Sequence, residues 1–199
     1  MTSEPKPSAR RLLVAVVGDA SVVPEDPKAG AAYELGRLII DRRWRLVTGG
    51  LGGVMAHASA GARSSPHWRD GDIIGIIPGS DPSAANPYVD VVVPTGMDHL
   101  RNSIVAHCDA LVVVGGGAGT LSEMALAWIY RRLIIALPHE GWGGKLAGTR
   151  LDSRTRYPDI ADDCVWPASD PTAAIDLISK MSAAYGKRHN GIGPSRFLG

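Results

Sequence analysis

Residues 115–119 and Glu123 form the part of this sequence whose residue types and spacing point to chemistry. Four of the five residues from 115 to 119 are glycines, which follow the apolar run LVVV and precede a helix-like segment that carries Glu123. Glycines leave backbone N–H groups accessible, and the N-terminus of a helix favours negative charge. The segment therefore predicts a loop that binds phosphate, with a carboxylate about one turn away.

A second glycine-rich segment repeats this pattern earlier in the chain. Residues 48–55, TGGLGGVM, follow an apolar strand-like run and again open a helix-like segment. The later segment, GGGAGT at residues 115–120, is not a P-loop, because no GK[ST] follows it. It is also not the usual dinucleotide fingerprint, which is expected after the first strand and with a later acidic residue that binds ribose. One such loop alone is also consistent with a tight turn that packs a helix on a sheet, whereas two loops strengthen the prediction of a ligand site.

The elements that position these loops alternate between strand-like and helix-like segments. The strands are apolar throughout, which is typical of a sheet covered on both faces, and the interleaved helices predict that it is parallel. The predicted strands are 12–18, 44–50, 72–79, 89–94, 110–117 and 133–137. The predicted helices are 28–43, 54–62, 98–108, 120–131 and 171–184, the last with an N-cap at Asp170-Pro171.

The predicted fold class is α/β, a doubly wound parallel sheet (Rossmann-like) with flanking helices in a single domain over residues 11–185. Residues 1–10 and 186–199 are expected to be tails, and residues 138–168 to be irregular. Ligands in such folds bind beyond the carboxyl ends of the strands. Four predicted strands end there in glycine or proline, at Gly18, 48–50, 78–79 and 115–119, so these turns are expected to converge on one site.

The overall composition excludes several classes of protein. The 199 residues carry a formal net charge of +1 and no long basic block, which disfavours nucleic acid as the main partner. No apolar run approaches the roughly 18 residues of a membrane helix, and residues 1–10 lack the apolar core of a signal peptide. A cytoplasmic protein with no membrane association, no metal site and no resident cofactor is expected. The histidines His99 and His107 lack metal-ligand spacing.

The two glycine-rich segments, with an arginine between them, resemble the LONELY GUY (LOG) family, formerly misnamed lysine decarboxylases. The family motif PGGxGTxxE resembles GGGAGTLSE at residues 115–123, and its GGGxxGLM loop resembles residues 48–55. A family segment G-M-x-x-R-K resembles residues 96–102, which contain Arg101. The similarity runs in order over about residues 12–137.

The resemblance implies roles for these residues. LOG enzymes cleave the N-glycosidic bond of cytokinin nucleoside 5′-monophosphates, and the loop amides and the Thr120 hydroxyl would hold the 5′-phosphate. Glu123 would hold ribose hydroxyls or stabilise the positive charge of an oxocarbenium-like transition state. Arg101 would contact the phosphate or the departing base, so Arg101 and Glu123 are the candidate catalytic residues. The candidate ligand-binding residues are Gly18, Gly49, Gly50, Gly53, Gly116, Gly117, Gly119 and Thr120.

Several departures from the family pattern leave more than one function open. Gly115 replaces the family's proline, Asn102 replaces its lysine, and Asp19 lies in a first loop that has serines in the family. These features favour a sister branch near the molybdenum cofactor carrier protein. One hypothesis is the binding of a nucleoside monophosphate or other phosphoribosyl ligand, with hydrolysis by Glu123 and Arg101. The alternative is a non-catalytic carrier or sensor of a nucleotide or of molybdenum cofactor.

Two further predictions concern Asp19 and the segment after Glu123. Asp19 is expected to cap the turn after the first strand, with a contact to a ribose hydroxyl as the alternative. Met124, Leu126, Trp128 and Ile129 lie at helical spacing and fit packing against the sheet or against a second subunit. This apolar surface, together with the resemblance, predicts a homodimer.

Overall fold

The computed structural model describes residues 10–186 and contains a seven-stranded parallel sheet flanked by helices, which confirms the predicted fold class. The strand order is β4-β3-β2-β1-β5-β6-β7. The strands are β1 (Leu13–Gly18), β2 (Arg45–Thr48), β3 (Ile73–Ile77), β4 (Val91–Pro94), β5 (Ala110–Val114), β6 (Leu133–Ala136) and β7 (Trp166–Pro167). The α-helices are α1 (Pro27–Asp41), α2 (Val54–Ser64), α3 (Asn102–Val105), α4 (Ala118–Ile129), α5 (Trp142–Leu146) and α6 (Pro171–Met181).

Alternate residues of the central strands separate two apolar layers. Val14 and Val16 of β1 pack in the layer that contains α1, α2 and α6, whereas Ala15 and Val17 pack in the layer that contains α3 and α4. All four side chains are at most 2% exposed. The sheet is therefore covered on both faces, as its uniformly apolar strands predict.

The predicted N-terminus of α6 at Asp170-Pro171 is confirmed, and α1 begins in the same way. Asp170 is the N-cap of α6 and accepts a hydrogen bond from Ala173 N at 2.9 Å. Asp26 is the N-cap of α1, accepts from Lys28 N at 2.9 Å and is followed by Pro27. In both helices proline occupies the first position, where its missing N–H costs no hydrogen bond.

The sequence predicts one helix over residues 98–108, and this prediction is wrong. The segment forms a 3₁₀ turn over Asp98–Arg101, which the short α3 follows. Asp98 has a φ of +50°, and the N–H groups of His107 and Cys108 bond three residues back. These tighter bonds end α3 early. The turn sets the direction of Arg101, its last residue.

The segment 138–168 is more regular than the sequence suggests, since it contains α5 and the edge strand β7. β7 has only two residues, one of them Pro167, and pairs with β6 through Trp166 and Ile135. A two-residue strand has no periodicity to detect, and proline is tolerated there because the strand lies at the sheet edge.

Arg10, which the sequence assigns to the N-terminal tail, donates two hydrogen bonds to Asp109. The rest of the predicted tails, residues 1–9 and 187–199, lies outside the described residues.

A buried ion pair fastens the segment before β7 to the rest of the domain. Arg156 donates to Asp163 from Nε at 2.8 Å and from Nη2 at 2.5 Å, and both side chains are almost fully buried. Asp163 also accepts from the Tyr185 hydroxyl at 2.6 Å, and the Arg156 guanidinium lies 3.5 Å from the centroid of the Trp128 ring. The pair thus joins this segment to α4 and to the residues after α6.

No helix among residues 10–186 combines the length and the apolar character that crossing a bilayer requires.

Substituting Asp163 by alanine is expected to lower the free energy of unfolding by about 3 kcal/mol, because Arg156 would keep a buried charge without its carboxylate. Urea unfolding followed by circular dichroism measures this loss. Glu34→Ala, which breaks a half-exposed pair with Arg37 on α1, is the control and should cost less than about 1 kcal/mol. Equal losses for the two variants would contradict the prediction.

Candidate functional site

A cavity of about 370 Å³ opens beyond the carboxyl ends of β1 and β5. The strand order reverses here, because β2 to β4 lie on one side of β1 and β5 to β7 on the other. Such a reversal point is where ligands bind in open parallel sheets. The structure brings six predicted site residues to the cavity wall: Gly18, Arg101, Gly117, Gly119, Thr120 and Glu123.

The glycine-rich loop presents the N-terminus of α4 to this cavity. Gly115 and Gly116 have φ values of +67° and +98°, which turn the chain sharply between β5 and α4. Gly117, the N-cap of α4, provides no side-chain hydrogen bond. A Cβ at Gly117 or Gly119 would meet no atom within 4 Å, apart from the glycine itself and its nearest neighbours in the chain. First-turn N–H groups lack partners within a helix, so the arrangement suits an anion.

Thr120 joins the glycine-rich loop to β1. Its hydroxyl donates a hydrogen bond to the Gly18 carbonyl at 3.2 Å, and its side chain is buried. The hydroxyl proton is therefore already in use, so a ligand phosphate would meet the Thr120 backbone N–H rather than the hydroxyl.

Arg101 is buried beside the cavity. The residue is 8% exposed, and its Nε and Nη1 atoms are buried without a hydrogen-bond partner. A Cβ at Gly49 would lie 2.1 Å from Arg101 Nη1, so the missing side chain at Gly49 makes room for the guanidinium. Burial lowers the pKa of Arg101, while the nearby carboxylate of Glu123 acts in the opposite direction. The site thus holds a cation with little hydration.

Glu123 is the carboxylate nearest to this cation in the cavity wall. Its Oε1 lies 3.8 Å from Arg101 Nη1, which is too far for a hydrogen bond, and the residue is 6% exposed. Burial raises the pKa of Glu123 to about 7, although Arg101 lowers it. Near neutral pH Glu123 is therefore poised between its protonated and ionised forms, as acid–base groups in functional sites often are.

The Asp19 carboxylate, expected to cap the turn after β1, accepts hydrogen bonds from two residues outside that turn. Its Oδ2 accepts a hydrogen bond from Gly116 N at 3.2 Å and another from Lys28 Nζ at 2.8 Å. The hydrogen bond to Asp19 raises the pKa of Lys28 above its usual value. The Gly116 N–H, a predicted phosphate ligand, thus already binds a carboxylate of this chain. Only the proximity of Asp19 to Gly116 in the fold reveals this contact, since 97 positions separate them.

The structure places four predicted binding glycines beside the cavity wall rather than in it. Gly49 packs against Arg101. Gly50 has a positive φ, and a Cβ there would lie 2.5 Å from Ile77 Cγ2. Gly53, the N-cap of α2, also has a positive φ and approaches the Asp19 carbonyl. Gly116 packs against the Thr120 side chain. Their contacts shape the loops that carry the lining residues.

Several lining residues were not among the candidates. Asn102 is 2% exposed and its Nδ2 donates to Ser122 Oγ at 2.7 Å and to the Gly119 carbonyl at 3.3 Å, which ties α3 to the start of α4. The position of Asn102, directly after Arg101, was the only sequence signal for it. Further lining residues are Val17, Ala20, Leu51, Met55, Pro78, Asp98 and His99. Within residues 10–186, no group of histidine, cysteine, aspartate and glutamate side chains is arranged to hold a metal ion.

Solved structures similar to this chain share its fold over most of its length. The molybdenum cofactor binding protein of the phototrophic bacterium Rippkaea orientalis is 31% identical, with a TM-score of 0.70 over 87% of this chain and 99% of that one. The molybdenum cofactor carrier protein of Chlamydomonas reinhardtii is 27% identical, with a TM-score of 0.68 and the same coverage.

Sequence comparison agrees with this similarity. An uncharacterized protein of Archaeoglobus fulgidus is 42% identical over 97 residues, which cover 48% of this chain and 61% of that protein, less than two thirds of its length. The model of the SLOG cluster4 family matches residues 11–160, which include every residue of the cavity wall. The chain belongs to the SLOG cluster4 family.

Proposed function

We propose that this protein binds and retains a small molecule that carries a phosphate group. The observation that carries the proposal is the buried Arg101, whose Nε and Nη1 have no hydrogen-bond partner and whose nearest carboxylate oxygen is 3.8 Å away. A buried charge without close partners costs free energy. An anion in the adjoining cavity would lower that cost, so the cavity favours anionic ligands.

The N-terminus of α4 is the natural position for the phosphate. It lacks a side-chain cap, and Gly117 and Gly119 leave space for close approach. Helix N-termini of this kind bind phosphate through N–H groups and the helix dipole. The phosphate and Arg101 would then hold one end of the ligand, while Leu51 and Met55, which also line the cavity, provide apolar surface.

Molybdenum cofactor is the first candidate ligand, as cargo rather than as a resident group. Two similar structures are described as proteins that bind or carry it. It is a pterin that bears a phosphate group, so it matches both the anion site and an apolar wall. The volume of about 370 Å³ falls within the range of small-molecule pockets.

Hydrolysis of an N-glycosidic bond in a nucleoside 5′-monophosphate is a second candidate, favoured by Glu123. A buried carboxylate with a pKa of about 7 lies in the same cavity as the phosphate position. In its ionised form it could stabilise the positive charge that develops on ribose as the bond breaks. In this reaction the phosphate would lie at the N-terminus of α4, and Arg101 would contact the departing base.

We further propose a homodimer formed through apolar side chains next to the cavity. Leu100 is 72% exposed, and Met97, Ile104 and Ile129 are each more than 40% exposed. Met124 and Trp128, which could also have met a second subunit, instead pack in the layer beneath α4. The proposed contact is thus confined to the 3₁₀ turn, α3 and the end of α4.

Arg101→Met is expected to weaken ligand binding about 10- to 100-fold, because it removes a charge-assisted contact. Calorimetry with AMP and with adenosine measures the contribution of the phosphate group to binding. Elemental analysis for molybdenum tests whether the cofactor is the cargo, after the protein is purified from cells that make this cofactor. Arg42→Met, which removes an exposed arginine that pairs with Asp176, is the control. Equal affinity for AMP and adenosine, together with unchanged molybdenum content in Arg101→Met, would overturn the proposal.

If the protein hydrolyses AMP, release of adenine should increase as pH rises through about 7, because the ionised form of Glu123 is the active one. Glu123→Gln should reduce that release about 100-fold or more. Glu34→Gln, an exposed substitution with the same change in charge, should leave it intact. Chromatographic detection of free adenine measures both effects. If no adenine is released, or if Glu123→Gln does not change its release, the proposed hydrolysis is refuted and only ligand binding remains.

Leu100→Asp is expected to convert the homodimer to a monomer, since it places a charge in the proposed apolar contact. Light scattering coupled to size-exclusion chromatography measures the mass. Val23→Asp, at a residue 62% exposed in the loop after β1, is the matched control and should not change it. A monomeric wild-type protein would refute the proposed dimer.

A further inference from the structure

Three backbone groups in the first half of the glycine-rich loop are already hydrogen-bonded within the chain. The Gly116 N–H donates to Asp19 Oδ2 at 3.2 Å. The carbonyls of Gly115 and Gly116 accept hydrogen bonds from the N–H groups of Gly143 and Trp142, at 3.0 and 2.9 Å. An incoming anion therefore finds no free N–H at Gly116 unless the Asp19 carboxylate leaves.

The Asp19 carboxylate is held in this position from two sides. Lys28 Nζ lies 2.8 Å from its Oδ2, and the Asp19 backbone carbonyl accepts from Val54 N at 2.9 Å. A Cβ at Gly115 would lie only 2.5 Å from Asp19 Oδ2 and 2.8 Å from the Glu140 carbonyl oxygen. The carboxylate thus lies directly against the loop, without room for another group between them.

The second half of the loop, from Gly117 to Thr120, keeps its open N-terminus toward the cavity. One phosphate group can occupy it. A second phosphate linked to the first and directed along the loop, as a pyrophosphate lies in dinucleotide-binding folds, would meet the negative charge of Asp19. Like charges in close, partly buried contact repel strongly.

We infer that Asp19 restricts the pocket to ligands with a single phosphate group and excludes diphosphates. The inference rests on the proposed function, because it assumes that a phosphate binds at α4. Asp19 then determines the class of ligand: phosphate monoesters are accepted, whereas nucleoside diphosphates and dinucleotides are rejected. Lys28 assists by fixing the direction of the carboxylate.

Calorimetry with inorganic phosphate and pyrophosphate at pH 8 and fixed ionic strength tests this role, since both probes are small enough to report on the loop alone. The wild-type protein should bind phosphate at least about tenfold more tightly than pyrophosphate. Asp19→Asn should reduce this preference about tenfold, because it removes the repulsion and frees Lys28. Lys28→Met, which leaves the carboxylate without its cation, should increase the preference.

The outcomes separate the two proposals. Glu34→Gln on α1 makes the same change in net charge as Asp19→Asn and should leave the preference unchanged. The role of Asp19 would be overturned if the wild-type protein bound pyrophosphate as tightly as phosphate. It would also be overturned if Asp19→Asn strengthened the binding of both anions equally. Absence of phosphate binding, or binding that Arg101→Met does not weaken, would instead overturn the proposed function.

Discussion

The reversal of strand order between β1 and β5 is the constraint on which the rest of the site depends. The connections that leave these two strands diverge to opposite faces of the sheet, so a crevice remains at their carboxyl ends. Backbone lines that crevice on both sides, at Gly18 and at residues 115–120. The Thr120 hydroxyl bonds directly to the Gly18 carbonyl across it. This contact fixes the start of α4 relative to β1, and with it the positions of Glu123 and the open helix N-terminus.

Electrostatics makes the crevice suitable for an anion although three carboxylates line it. Asp19 lies against Gly116, and Lys28 at 2.8 Å balances part of its charge, so its repulsion is confined to that end of the loop. Asp98 is largely exposed to solvent, where water screens its charge. Burial raises the pKa of Glu123 to about 7, so part of it is neutral near pH 7. Arg101 remains as a charge with little hydration, and the dipole of α4 adds to its field. The local balance is therefore positive in a chain whose net charge is only +1.

The parts of the site that the sequence predicts are those that local patterns encode. An apolar run ending in glycines identifies the end of β5 and the start of α4, and a fixed spacing places Glu123 one turn later. The contact of Asp19 with Gly116 could not be predicted, because it joins positions 97 residues apart. Gly49 looked like a phosphate ligand, yet it accommodates the Arg101 guanidinium. The break between the 3₁₀ turn and α3 could not be predicted from the sequence either. Hydrogen bonds that span three residues leave the helical spacing of apolar residues almost unchanged over one turn.

Arg101 and Glu123 connect the choice of ligand to the choice between retention and hydrolysis. Arg101 is the charge that lowers the pKa of Glu123 against the effect of burial. A phosphate placed directly beside Arg101 would offset that effect and favour the protonated form of Glu123. A neutral carboxyl can donate a hydrogen bond to a bound ligand, but it cannot stabilise a developing oxocarbenium ion. A phosphate held at α4 and away from Arg101 leaves Glu123 able to ionise. The same two side chains therefore favour retention or cleavage according to where the anion sits, and the fold alone decides neither.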